Sequence, residues 1–263
     1  MSRQITPEGH PVELWRPVLE RLPRVPFADL ADGLVAGSSG SGAPSGARML
    51  VVSAHPDDET LGGGRLVADW TRAGGAVYAA TATAGEACFD VVGHEWPDLA
   101  ETRVAEWRAA LGVLGARPMR CLGLPDGALA AHEGRLVELL RELVDEARPD
   151  VLAGTLDVDP HPDHMAVGRA LSVVARERSL PLVEWPVWLT YFSEPPAPGG
   201  LVVVGCSPEA ERARDVAWEC FTSQRRPAAE DLGAVVPPEL VGRLTEQLAM
   251  RVLPGARTGR VAR

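Results

Sequence analysis

From Arg48 onward, short apolar runs alternate with longer stretches whose apolar positions recur every three or four residues. The runs at 49–54, 76–83, 120–124 and 151–155 are mostly apolar, which predicts strands buried on both faces. Between and after them, 61–72, 99–114, 135–147 and 163–178 carry the helical period. This alternation implies an α/β fold: a Rossmann-like, mostly parallel sheet with helices on both faces, in a single domain. After Leu180 the pattern loosens. There 181–192 and 201–204 read as strands, 207–221 and 238–250 as helices, and 194–200 as a Pro-rich loop.

Upstream, Val12, Leu14, Val18, Leu19 and Leu22 are spaced as in a short amphipathic helix. They precede GSSGSGAPSG at 37–46, a composition too flexible to bury a core. The expected organisation is an N-terminal helix and linker at 1–47, the main domain at 48–252, and a basic tail at 253–263. The formal net charge of −10 argues against a nucleic-acid partner, which would need Lys and Arg gathered into a patch. No stretch approaches the ~18–20 apolar residues of a membrane span. The first fifteen residues also lack the apolar run of a signal peptide. Cys88, Cys121, Cys206 and Cys220 lie far apart with no CxxC pair, so they read as free thiols in a reducing, cytoplasmic compartment. A homo-oligomer is compatible with the sequence, which does not fix the oligomeric state.

The chemistry concentrates in two segments that echo each other, HPDD at 55–58 and HPDH at 161–164. Each follows a predicted strand and precedes a predicted helix. In an open parallel sheet, loops at the carboxyl ends of strands gather on one edge, so motifs a hundred residues apart can meet there. The Pro after each His biases that His toward an extended conformation. Helical positions three apart share a face, as do His55 with Asp58 and His161 with His164. A single His-Pro-Asp is ordinarily a turn with a capping Asp. Two of them at strand ends pool imidazoles and carboxylates without thiolate, a mixture suited to Zn2+ or another divalent first-row ion. A catalytic zinc takes three protein ligands, leaving Asp57, Glu59, His161 and Asp163 as neighbouring acid–base groups.

At these residues the sequence resembles the LmbE-like, or PIG-L-like, family of metal-dependent N-acetylglucosaminyl deacetylases. The carrying segments are VVSAHPDDETLGGG (51–64), TATAGEA (81–87), RVAE (103–106), LGLPDGAL (122–129), HPDH (161–164) and FTSQ (221–224). The resemblance implies His55, Asp58 and His164 as metal ligands and Asp57 as general base. It implies that His161 stabilises the oxyanion or protonates the leaving amine, with Asp163 orienting it. Arg103 and Asp126 match sugar-contacting positions. Some mycothiol-type members carry a Tyr two residues before HPDH that polarises the acyl carbonyl; here that position is Asp159.

The implied activity is zinc-dependent removal of the acetyl group from an N-acetylglucosamine-containing small glycoside, such as a specialised-metabolite or thiol-cofactor intermediate, giving amino sugar and acetate. The alternatives are a metalloamidase acting on a non-sugar or longer-acyl amide, and a non-catalytic sugar-binding homologue. Gly62, Gly63 and Gly64 do not form GxGxxG, which weakens a nucleotide reading. Residues 85–97, with Cys88, His94 and Trp96, are positioned to line a cleft, and His94 is weighed as an extra ligand against a structural role. Trp185 and Trp188 read equally as core or as sugar-stacking platforms. His10 and His132 read as surface residues.

Overall fold

Strand β2 shows how the sheet acquires two covers. The structure is a computed structural model describing residues 5–35, 44–246 and 249–255. In β2 (Arg48–Ser53), Met49 and Val51 enter one buried apolar cluster and Leu50 and Val52 the other. A strand apolar on both sides requires helices on both faces. The order across the sheet is β1 (Arg24–Pro26), β7 (Leu201–Gly205), β8 (Ala249–Leu253), β6 (Leu182–Trp185), β5 (Val151–Thr155), β2, β3 (Ala76–Thr81) and β4 (Arg117–Cys121). All pairs are parallel except those of β8, which runs antiparallel to β6 and β7.

On the N-terminal side, α1 (Arg16–Arg21) packs over a small cluster around Trp15. The first face of the sheet is covered by α2 (Phe27–Val35), α3 (Asp58–Arg72) and α4 (Leu99–Leu114). The second face is covered by α5 (Glu133–Ala147) and α6 (Pro162–Arg178), through Leu136, Leu140 and Leu143 and through Val167 and Leu171. Further along the chain come α7 (Leu189–Phe192), α8 (Pro208–Trp218), α9 (Thr222–Arg225) and α10 (Pro238–Glu246), which complete the first face. Helix α3 lies unusually close to β6. A Cβ on Gly62 would fall 2.1 Å from Trp185 Cδ1, and one on Gly63 2.8 Å from the same indole. Those glycines serve packing, and Trp185 is fully buried core.

The chain passes from β2 to β3 on one side and comes back to β5 on the other. The order of strands therefore reverses at β2, and the carboxyl ends of β2 and β5 flank the crevice where open α/β sheets bind ligands.

Four expectations change. The helix foreseen over 238–250 ends at Glu246, and Ala249–Leu253 is a strand inserted between β6 and β7. The strand foreseen over 181–192 stops at Trp185, before Pro186, and resumes as helix α7. Strand β4 spans Arg117–Cys121 rather than 120–124, ending before Gly123, whose φ of 67° turns the chain out of the sheet. Residues 11–34 form α1, β1 and most of α2, and β1 pairs with β7 in the main sheet. Most of the linker (36–43) and the end of the basic tail (256–263) lie outside the described residues.

Candidate active site

The two HPD motifs meet at the switch point. After β2 the chain turns sharply at Asp57, whose φ of 127° is rarely adopted by a residue with a side chain. Such a conformation costs about 1–3 kcal/mol and persists only where surrounding contacts impose it. Helix α3 starts at the next residue, and Asp58 Oδ2 accepts from the backbone N–H groups of Ala54 (3.1 Å) and His55 (2.9 Å). After β5, His161 caps α6 by accepting from Asp163 N–H at Nδ1 (3.2 Å), Pro162 occupies the first turn, and His164 follows inside it.

Three ligand-type side chains then converge. His55 Nδ1 lies 3.3 Å from His164 Nε2 and 3.5 Å from Asp58 Oδ2, and His164 Nε2 lies 3.1 Å from Asp58 Oδ1. Ligands about 2.0–2.1 Å from a tetrahedral zinc are about 3.4 Å apart, so these residues fit a divalent ion. His161 also brings a ring nitrogen within 4.8 Å of His55 and His164, but its Nδ1 is engaged with Asp163 N–H. His55, Asp126 and Asp163 form another such group, on the far side of the His55 ring. There Nε2 faces Asp126 Oδ1 (3.0 Å) and Asp163 Oδ2 (3.4 Å), a carboxylate backing that leaves Nδ1 free to ligate.

The electrostatics agree with a site built for a cation. Burial alone would lower the His164 pKa, but the charges of Asp58 and Asp159 push it up to about 9. His55 is likewise raised well above its usual value despite burial, by Asp126, Asp163 and Asp58. Burial would raise Asp58, yet His164 and His55 hold it well below the carboxylate range. Without an ion, protons occupy the His55 and His164 imidazoles. Asp57 is pushed by burial to about 7, with the Arg103 guanidinium opposing. Burial, with His164 and His55 beside it, holds His161 down to about 3. Glu59, also buried, is raised to about 8, and Thr60 donates to it.

A cleft of ≈ 180 Å³ opens over this cluster. Its polar wall includes Arg103, Asp126, Cys88 and Gln224, and its apolar wall Leu61, Val187, Trp188, Val235 and Val236. Arg103 reaches Gly85 O (2.7 Å), Pro56 O (2.9 Å) and Asp57 Oδ2 (3.1 Å), so it clamps the candidate base as well as bordering the cleft. Asp126 accepts from Ala87 N–H (2.8 Å) besides facing His55. The Asp163 carboxylate, expected to orient His161, instead accepts from Gly127 N–H (2.7 Å) and Leu129 N–H (3.0 Å); its link to His161 is the backbone N–H. His94 packs edge-on against Phe89, away from the donor cluster. Asp159 does not line the cleft; it is fully buried behind His164.

Two residues escaped sequence reasoning. Glu106 accepts from Thr222 Oγ1 (2.6 Å) and Ser223 N–H (2.9 Å), and thereby seats α9 so that Gln224 borders the cleft. The signal was the RVAE and FTSQ segments, whose two halves have no reason to pair until the fold brings α4 and α9 together.

Comparison with known proteins follows the same lines. The family described as PIG-L, GlcNAc-PI de-N-acetylase, matches residues 50–175. A 1D-myo-inositol 2-acetamido-2-deoxy-alpha-D-glucopyranoside deacetylase of Mycolicibacterium vanbaalenii is 30% identical over 246 residues, covering 81% of this chain and 84% of that one. A deacetylase of the teicoplanin biosynthetic pathway, solved as a triple mutant, superposes with a TM-score of 0.63 at 22% identity, over 81% of this chain and 100% of that one. The 4-carboxy-2-hydroxymuconate hydratase of Pseudomonas putida KT2440 shares the fold at a TM-score of 0.53 and 16% identity, over 82% and 98%. The fold alone thus serves more than one reaction, and the weight falls on the relative's identity and coverage and on the donor cluster. On those grounds the chain belongs to the PIG-L, or LmbE-like, deacetylase family.

Proposed function

We propose that this protein is a zinc-dependent N-deacetylase that hydrolyses the acetamido group of an N-acetylglucosamine-containing small glycoside, giving amino sugar and acetate. The observation that carries the reading is the convergence of His55, Asp58 and His164 within 3.5 Å of one another, one residue from the strained Asp57. The Mycolicibacterium relative, named for removing acetyl from an inositol-linked amino sugar, supports the substrate class. Unpaired cysteines support a cytoplasmic location, and among the described residues no helix is long and apolar enough to cross a membrane.

When bound, a zinc ion at the cluster supplies Lewis-acid polarisation of the acyl oxygen and a lowered pKa for water. The chain's own residues do the rest. Asp57, held by Arg103, takes a proton from the attacking water as its oxygen bonds to the acyl carbon. His161 accepts from Asp163 N–H at Nδ1, so the neutral ring carries its proton on Nε2 and donates it as a hydrogen bond to the developing oxyanion. The C–N bond breaks, and the proton held by Asp57 passes to the departing amine. Arg103, which borders the cleft, and the remaining lone pairs of Asp126 are the contacts offered to sugar hydroxyls.

The test is acetate release from N-acetylglucosaminides, acyclic acetamides and longer-acyl glycosides by metal-replete and chelator-treated protein. Glycosides should react only with metal present. Equal turnover of acyclic acetamides would replace this reading with a broader amidase. The apolar wall of Leu61, Val187, Trp188, Val235 and Val236 favours a second reading, a longer acyl chain, which the longer-acyl substrates decide.

A further inference from the structure

Asp159 occupies the position where some relatives have a carbonyl-polarising Tyr, yet its carboxylate is turned away from the cleft. It is fully buried and surrounded by donors. Oδ2 accepts from the backbone N–H groups of Val187 (2.7 Å) and Trp188 (2.8 Å). Oδ1 accepts from His161 N–H (3.3 Å) and lies 3.1 Å from His164 Nδ1. Three of these four neighbours are backbone amides and can only donate. A side chain that satisfies all three must present acceptors alone, which a carboxylate does and an amide or hydroxyl does not. The fourth neighbour, His164 Nδ1, stands at ion-pair distance without an aligned hydrogen bond, and beside an acceptor-only carboxylate its protonated form is the favoured one.

We infer that Asp159 is a positioning residue that holds the His164 proton on Nδ1, so that the Nε2 lone pair faces the donor cluster. In a neutral imidazole one nitrogen carries the proton and the other is the acceptor, and the bond made by the first selects the second. Nε2 is the atom 3.1 Å from Asp58 Oδ1 and 3.3 Å from His55 Nδ1, the one that would ligate the ion. Asp159 therefore does not replace the missing Tyr. It acts through His164, and it ties that ligand to Val187 and Trp188 in the cleft wall. The inference rests on the metal-site reading above, and it adds that the ion's affinity depends on the Asp159 carboxylate.

Asp159→Asn discriminates. The two shorter bonds, to Val187 and Trp188, claim the amide oxygen, which leaves the NH2 facing His164 Nδ1. That nitrogen must then accept, the proton moves to Nε2, and the ligating lone pair is lost. Zn2+ affinity is measured on the full chain by competition with a chromophoric chelator at 25 °C, with circular dichroism reporting the fold. Folded Asp159→Asn should bind about 10–100-fold more weakly than wild type. A purely structural role would lower Tm and leave the affinity of the folded protein unchanged, and that result overturns the inference. Should the variant fail to fold, 15N-histidine NMR of the zinc-loaded wild type decides. Nε2 metal-bound with the Nδ1 proton shifted downfield, as in a hydrogen bond to a carboxylate, supports the inference, whereas ligation through Nδ1, or an Nδ1 proton without that shift, overturns it. A wild-type chain that takes up no ion overturns both this inference and the proposed function. Ion uptake with wild-type affinity in Asp159→Asn overturns this one alone.

Discussion

Asp57 illustrates how a single residue is pulled two ways. Burial pushes its carboxyl to about 7, and the Arg103 guanidinium pulls it back. A bound cation would pull it further, because nearby positive charge favours the ionised form. A base works when ionised, so kcat/KM should rise with pH through an acid limb at or below pH 7. Asp57→Asn should lose at least about a hundredfold in kcat with its ion retained, since Asp57 contributes no atom to the three-donor cluster. Arg103 supplies a sharper comparison. If it serves mainly to clamp Asp57, Arg103→Ala removes the opposing charge, moves the acid limb to higher pH and lowers kcat for glycosides and simple acetamides alike. If it serves mainly to grip sugar, KM for glycosides rises and acetamides are unaffected. Its bonds to Pro56 O and Asp57 Oδ2 favour the first outcome, and pH profiles with both substrate types decide it.

At the scale of elements, glycine gives the clearest contrast. Ala in place of a helical Gly ordinarily gains about 0.5–1 kcal/mol. On Gly62 of α3 the new Cβ would stand 2.1 Å from Trp185 Cδ1, whereas on Gly112 of α4 nothing lies within 4 Å. Gly112→Ala should therefore stabilise by that amount. Gly62→Ala should destabilise by about 1–3 kcal/mol, the usual cost of overpacking a core, and urea midpoints would show opposite shifts. Nothing in the letters GGG distinguishes these cases, since the obstacle is a Trp more than a hundred residues away. The same limit explains what the sequence left hidden. Strand β2 and helix α3 were legible because an apolar run and a helical period are local signals, although α3 starts at Asp58 rather than Leu61. Strand β8 was not: its five residues include Arg251, and they are a strand only because β6 and β7 flank them. There Arg251 reaches Glu184 Oε2 (2.8 Å from Nε), a partner in another strand that stabilises its charge. Asp159 was legible as the residue standing where some relatives carry a Tyr but not as the neighbour of His164, because that contact depends on how the segment after β5 folds back on the first turn of α6.

For the molecule as a whole, the candidate metal ligands come from both sides of the switch point, His55 and Asp58 after β2 and His164 after β5. An ion held there joins segments separated by more than a hundred residues, and it binds the folded chain in preference to the unfolded one. Metal should therefore raise thermal stability, by about 2.7 kcal/mol when free ion stands at a hundred times Kd. At about 2–4 °C per kcal/mol for a chain of this size, that is roughly 5–11 °C. The pH dependence gives the idea its edge. In the metal-free protein His164 keeps its proton up to about 9, and His55 is also raised well above its usual value. Below those pKa values the ion must displace protons, so affinity should fall about tenfold or more for each unit of pH lost, with at least one proton released per ion near pH 7. The Tm gain from a fixed zinc concentration should accordingly shrink from pH 8 toward pH 6, while His164→Ala shows little gain at any pH. Melting curves with and without zinc across that range, with calorimetry in two buffers of different ionisation enthalpy to count protons, provide the measurement. A gain independent of pH, or one equally large in His164→Ala, would mean that the ion binds elsewhere than at these imidazoles.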